Sequence, residues 1–149
     1  MRPSSQQVAV AWVQSLPELV GVGVATTLPP QKQWGGQDFV TVSANLGGIP
    51  VMGMMTRMPV LQIDSWAQAP NSTRPAWNRA SMTAEAIRDA AYGSDSYCEL
   101  TFAGGFMPVS LEGVRVLSEP RRLSSDTAAI ARCVLTLQFY YTPAGLVSA

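Results

Sequence analysis

The sequence has no histidine, a single lysine (Lys32) and only two cysteines in its 149 residues. Without histidine, the side chain that ordinarily titrates near neutrality is missing, and so is the commonest metal ligand. Ser-His-Asp, Cys-His and His-based zinc schemes fall together. Two cysteines, Cys98 and Cys133, do not make a disulfide framework in a chain of this length, so both are expected as reduced, buried thiols. Charge is also scarce: 13% of residues are charged, against a usual share of roughly 25%. Ten basic residues, nine of them arginine, balance ten acidic ones. Net neutrality favours association. It also removes the cationic excess on which nonspecific nucleic-acid binding relies. No apolar run reaches the roughly 18 residues of a membrane span. The start, Met1-Arg2-Pro3-Ser4-Ser5, leads into a mixed segment rather than the apolar stretch of a signal peptide. The expectation is one domain over residues 1–149, made in a cytoplasm, with no membrane partner.

What is present reads as an α+β fold: two helices packed on a mixed, mostly antiparallel β-sheet, with an extra β-hairpin. Ser4 and Ser5 precede an apolar stripe of Val8, Ala9, Trp12, Val13 and Leu16 that Pro17 stops, the signature of a capped helix. Val20 through Trp34-Gly35-Gly36 is interrupted by glycine and proline and reads as loop. Phe39–Ser43 is rich in strand formers, and Ile49 to Met55 is a candidate return strand after Gly47-Gly48. In the next strand, Leu61, Ile63 and Ser65 share one face and Gln62, Asp64 and Trp66 the other, which predicts one wet or partner-facing side. Arg74-Pro75 suits a helix start. Trp77, Ala80, Ala84, Ile87 and Ala91 then form a helical stripe that Gly93 closes at C′. Tyr97–Phe102 and Phe106–Leu111 flank Ala103-Gly104-Gly105 as a hairpin. Val114–Leu117 is a strand ended by Pro120. A long terminal strand alternates Cys133, Leu135, Leu137, Phe139 and Tyr141 with polar neighbours, leaving a tail at about 142–149.

Sites for chemistry are few. Gly21-Val22-Gly23 lacks the third glycine and the distant acid of a dinucleotide loop, so a plain loop is the better reading. Glu85 and Asp89 sit at i,i+4 beside Arg88, the pattern of a solvated helix face. A small-ligand enzyme would have to draw on Asp64, Arg57 or Cys98. Met52, Met54, Met55 and Met58 cluster around Arg57, equally suited to filling a core or to an adaptable contact surface. Arg121-Arg122 after Pro120 reads first as a solvated turn and second as a partner contact. No cofactor and no metal site is expected.

The segment Met58-Pro59-Val60-Leu61-Gln62-Ile63-Asp64-Ser65-Trp66-Ala67, then a helix, then Leu111-Glu112-Gly113-Val114-Arg115-Val116 and a terminal Leu135-Thr136-Leu137-Gln138-Phe139-Tyr140, resembles the tail terminator proteins of long-tailed (siphovirus) bacteriophages. The likeness spans most of the chain. Gln62, Asp64 and Trp66 match the family's strand motif, and Tyr97–Val109 looks like an insertion. Arginine in place of lysine, with abundant Ala, Gly and Val, points to a GC-rich host such as an actinobacterium. The resemblance implies a structural virion protein that is not an enzyme. It would form a homohexameric ring capping the head-proximal end of the tail tube, stopping tube polymerisation and joining the tail to the head connector in the neck. Partners would be other copies of itself, the major tail tube protein and the connector or stopper protein. Genome DNA would pass through the ring without sequence-specific contact. A head-completion or stopper protein is the alternative within the virion. Interface residues expected on this reading are Met52, Met54, Met55, Arg57, Tyr97, Phe102, Phe106, Arg121 and Arg122.

Overall fold

The computed structural model describes residues 1–30, 34, 37–43, 47, 55–69, 75–123 and 130–144. Two helices, α1 (Ser5–Ser15) and α2 (Trp77–Tyr92), and six strands, β1 (Gly23–Ala25), β2 (Phe39–Val42), β3 (Val60–Gln68), β4 (Cys98–Leu100), β5 (Val109–Leu123) and β6 (Ile130–Pro143), make up the described α+β domain. The sheet runs β1-β2-β3-β6-β5-β4. β1 and β2 pair in parallel, and every other neighbour is antiparallel. The fold class is therefore as expected, and the central strand is the one with the longest alternating pattern in the sequence.

Helix α1 begins where local chemistry satisfies its free amides. The Ser4 hydroxyl accepts the Gln7 N–H at 3.2 Å, and the Gln7 side-chain oxygen accepts the Ser4 N–H at 2.7 Å, a capping box. Pro17 opens a 3₁₀ turn over Pro17–Leu19 and ends the α-helix at the expected place. The Val8, Ala9, Trp12 and Val13 face is buried. Trp12 meets Phe139 edge-on at 5.5 Å, and its indole N–H donates to the Asp95 carbonyl at 2.9 Å.

Helix α2 packs Ala80, Ala84 and Ile87 into one core with Leu61, Ile63, Leu135 and Leu137, as the stripe predicted, with Trp77 half-buried at its edge. Small side chains let the helix backbone approach the sheet, and the Ser65 hydroxyl donates to the Ala80 carbonyl at 2.9 Å across the gap. On the outer face, Arg88 bridges Glu119 on β5 and its neighbour Asp89, the solvated face that the charges at 85–89 predicted. The Glu119 and Asp89 carboxylates hold its guanidinium firmly protonated.

Several boundaries differ from the sequence reading. Helix α2 starts at Trp77 with Ala76 as its N-cap in a non-helical conformation, so Pro75 stands outside the first turn. Gly93 is the C-cap itself, with φ −96° and ψ −176°, an extended conformation open to any residue; the chain leaves through a second 3₁₀ turn, Ser94–Ser96. The glycine-rich segment near Gly23 is a short strand rather than loop. A Cβ on Gly23 would overlap the Phe39 ring on β2, which explains glycine at that position. Pro120 does not stop a strand: residues 109–123 form one strand through Gly113 and Pro120. A register shift between Ser118 and Arg121 takes Glu119 and Pro120 out of the ladder, where a missing N–H costs nothing. The hairpin is narrower than expected, three residues of β4 on β5, with residues 101–108 between them and Gly104 and Gly105 in the left-handed region at φ +80° and +79°. Thr142 and Pro143, expected in a tail, pair with Ser110 and Val109. Most of the candidate return strand at 49–55 lies outside the described residues.

Two substitutions check this account. Ile87→Asp places an unpaired charge at a fully buried site, at a cost of several kcal/mol against a total stability of about 5–15 kcal/mol, and is expected to abolish soluble protein on expression. Ser4→Ala removes the cap of α1 and is expected to lower stability by about 1 kcal/mol in denaturant unfolding with no change of fold.

Candidate interaction surface

Strand periodicity gives the sheet a second face, opposite the helices, carrying Thr41 on β2, Gln62, Asp64 and Trp66 on β3, and Arg132, Val134, Thr136, Gln138 and Tyr140 on β6. The sequence predicted this side to be wet or partner-facing. In the structure it is polar but largely closed by its own side chains. Asp64 is only 2% exposed, and the Arg132 guanidinium meets it at 3.0 Å while the Gln62 amide donates to its other oxygen at 3.0 Å. Arg132 also lies 4.8 Å over the Trp66 ring, and the Trp66 N–H donates to Thr41 at 2.9 Å. Burying a carboxylate this deeply is costly unless it is paired and hydrogen-bonded, as it is here. Trp34, Phe39 and Ile130 add a small second apolar cluster.

The three residues on which an enzyme reading would rest do not converge. Arg57, Tyr141, Leu111 and Cys98 form one row across the sheet, which separates Arg57 from Cys98 by three strand spacings, about 14 Å. Asp64 stands on the opposite face, seven residues further along the partner strand, opposite Val134. Partial burial, with help from the Asp95 charge, pushes the Cys98 thiol above its ordinary pKa, which lowers its thiolate fraction and its reactivity. Both cysteines are free thiols, but only Cys133 is buried; Cys98, expected to be buried as well, is half-buried near the sheet edge on the short strand β4. Among the described residues no group of three or more His, Cys, Asp or Glu is placed to hold a metal ion, and no helix is long and apolar enough to cross a membrane.

The residues expected at an interface divide between two ends of the sheet. Met52 and Met54 lie outside the described residues. Met55 is exposed, and Arg57 is held by backbone hydrogen bonds to Tyr141 while its side chain is exposed. Tyr97 is 73% exposed beside β4. Phe102 and Phe106 are half-buried. Phe102 packs against the main core, and both line a groove of about 310 Å³ with Val10, Ala11, Gln7 and Gln14 on the outer side of α1. Arg121 and Arg122 sit at the other end of β5, with Arg122 stacked 5.1 Å from the Trp77 ring; Leu111 and Arg121 stand opposite Tyr141 and Val134, seven strand steps and so about 23 Å apart. The α1 side of the groove was missed in the sequence. Val10 and Ala11 fall outside the main apolar stripe, and that second pair was the available signal.

No protein-family model matches the chain, and no curated protein matches it. Among solved structures, a chain from the virion of a native gene transfer agent (GTA) particle shares the fold, with a TM-score of 0.59 and 18% identity, covering 93% of this chain and 99% of that one.

Two measurements probe these sites. Arg132→Met leaves Asp64 buried without its counter-charge and is expected to cost about 3–5 kcal/mol in denaturant unfolding, whereas Arg132→Met combined with Asp64→Leu recovers most of that loss. Iodoacetamide labelling of Cys98 in the folded protein is expected to be slower at neutral pH than labelling of an unperturbed thiol, and to rise only at higher pH. Fast labelling at neutral pH would revive the nucleophile reading.

Proposed function

We propose that the chain is a structural virion protein, a tail terminator that forms a hexameric ring at the head-proximal end of a tail tube. The observation that carries this is the shared fold with a chain of a gene transfer agent virion over nearly the whole length of both chains. The β3 segment with Gln62, Asp64 and Trp66 and the aromatic β6 strand, which carry the terminator resemblance, are adjacent in the sheet, so the likeness falls on the centre of the fold. Low charge suits a protein buried between others, and Asp64, Arg57 and Cys98 are held apart, which favours a structural role over catalysis. Partners on this reading are other copies of the chain, the tube protein and the head connector.

Copy number in assembled particles tests the reading directly. Cryo-EM of the neck is expected to show a sixfold ring between tube and connector; a single copy, or absence from particles, would reject it. Loss of the protein separates terminator from stopper: overlong tails are expected for a terminator, and tails of normal length that fail to join heads would point to the stopper. Met55→Ser with Tyr97→Ser changes two exposed residues. It is expected to leave folding intact and to impair tail completion.

A further inference from the structure

Strand β5 outruns its outer neighbour. β4 covers only Val109–Leu111, so the edge of β5 from Glu112 to Leu123 has no strand beside it among the described residues. An uncovered edge is a template for pairing with another chain. The charges along this edge are segregated. Nearby, Arg132 offsets Asp64, and Arg88 bridges Glu119 and Asp89, two acids to one base. What remains is acidic at one end and basic at the other. Glu99 lies opposite Ser110, and Glu112 stands nearby on the same sheet face, accepting a hydrogen bond from Thr142 at 2.8 Å; both are exposed and neither has an ion-pair partner among the described residues. Arg57, in the adjoining row, is on the helix side of the sheet. At the far end Arg121 and Arg122 are exposed with no acidic partner among the described residues, Arg121 on the sheet face of Glu99 and Arg122 on the helix face against the Trp77 ring, and exposed Arg115 lies between. Register shifts flanking Gly113–Val116 and again before Arg121 prevent a long, flat ladder, so side-chain charge rather than backbone pairing sets direction and register.

We propose that copies of this chain join head to tail along the β4–β5 edge, with Glu99 and Glu112 of one copy facing Arg121 and Arg122 of the next. The occupant is a second copy because one molecule carries both complementary ends, and an end-to-end contact repeats and closes into a ring by rotation. The proposal rests on the ring reading above and adds the surfaces that meet.

A charge-swap experiment tests it. Wild-type protein at low ionic strength is expected to associate beyond a dimer in sedimentation velocity as concentration rises, and salt should weaken that association at least tenfold. Arg121→Glu with Arg122→Glu, and separately Glu99→Arg with Glu112→Arg, should each remain monomeric, with circular dichroism confirming the fold. An equimolar mixture of the two should associate as wild type does, because each acidic surface again meets a basic one. A wild-type protein that stays monomeric, or stops at a closed dimer, overturns the proposal. So does association that both reversals leave intact; a sixfold ring in particles would then keep the functional reading while moving the interface elsewhere. If a reversal variant fails to fold, the salt series on wild-type protein still decides, and salt-independent association overturns the proposal.

Discussion

The structure depends on burying one face of β6. That strand lies at the middle of the sheet, between β3 and β5, and its Cys133, Leu135, Leu137, Phe139 and Tyr141 face the helices. A strand paired on both sides has no free backbone edge, so it can be buried without leaving donors unmet. Helices α1 and α2 cover the apolar face: α2 approaches on alanines, and α1 closes the end of the core with Trp12 against Phe139. Burial at about 25 cal/mol per Å² rewards every contact made to that face, and this is the force that gathers elements from both halves of the chain.

The opposite face follows a different logic. No helix covers it among the described residues, and apart from the buried Arg132 Nε, which has no hydrogen-bond partner among them, its polar groups pair with one another: Asp64 with Arg132 and Gln62, Trp66 with Thr41, and Tyr140 with Gln138, whose amide donates to the Met58 carbonyl. Such a network contributes little net stability, because desolvation offsets attraction, but breaking any one partner exposes that cost. It fixes which side chains line this face and leaves the free charges at the β4–β5 edge. Geometry thus separates the charges that hold the fold from those still available to a partner.

On the function proposed above, this division suits assembly with other copies of the chain. The acids, arginines and thiols that could carry chemistry are paired, scattered or held protonated, while the exposed aromatic Tyr97, the α1 groove and the uncovered edge of β5 are all peripheral.

Patterns with short-range causes were legible in the sequence. The serine cap and Pro17 bound α1, the alanine stripe predicted the buried side of α2, and ten residues of strict alternation marked β6, because capping and periodicity are decided within a few residues. Strand order, the parallel β1–β2 pair and the continuity of β5 through Pro120 were not legible. They depend on which distant edges meet and on whether a proline falls at a register shift where no ladder donor is needed. Asp64 shows the same limit: alternation placed it on the face away from the helices, but only the fold brought Arg132, sixty-eight residues later, close enough to let that face bury a charge.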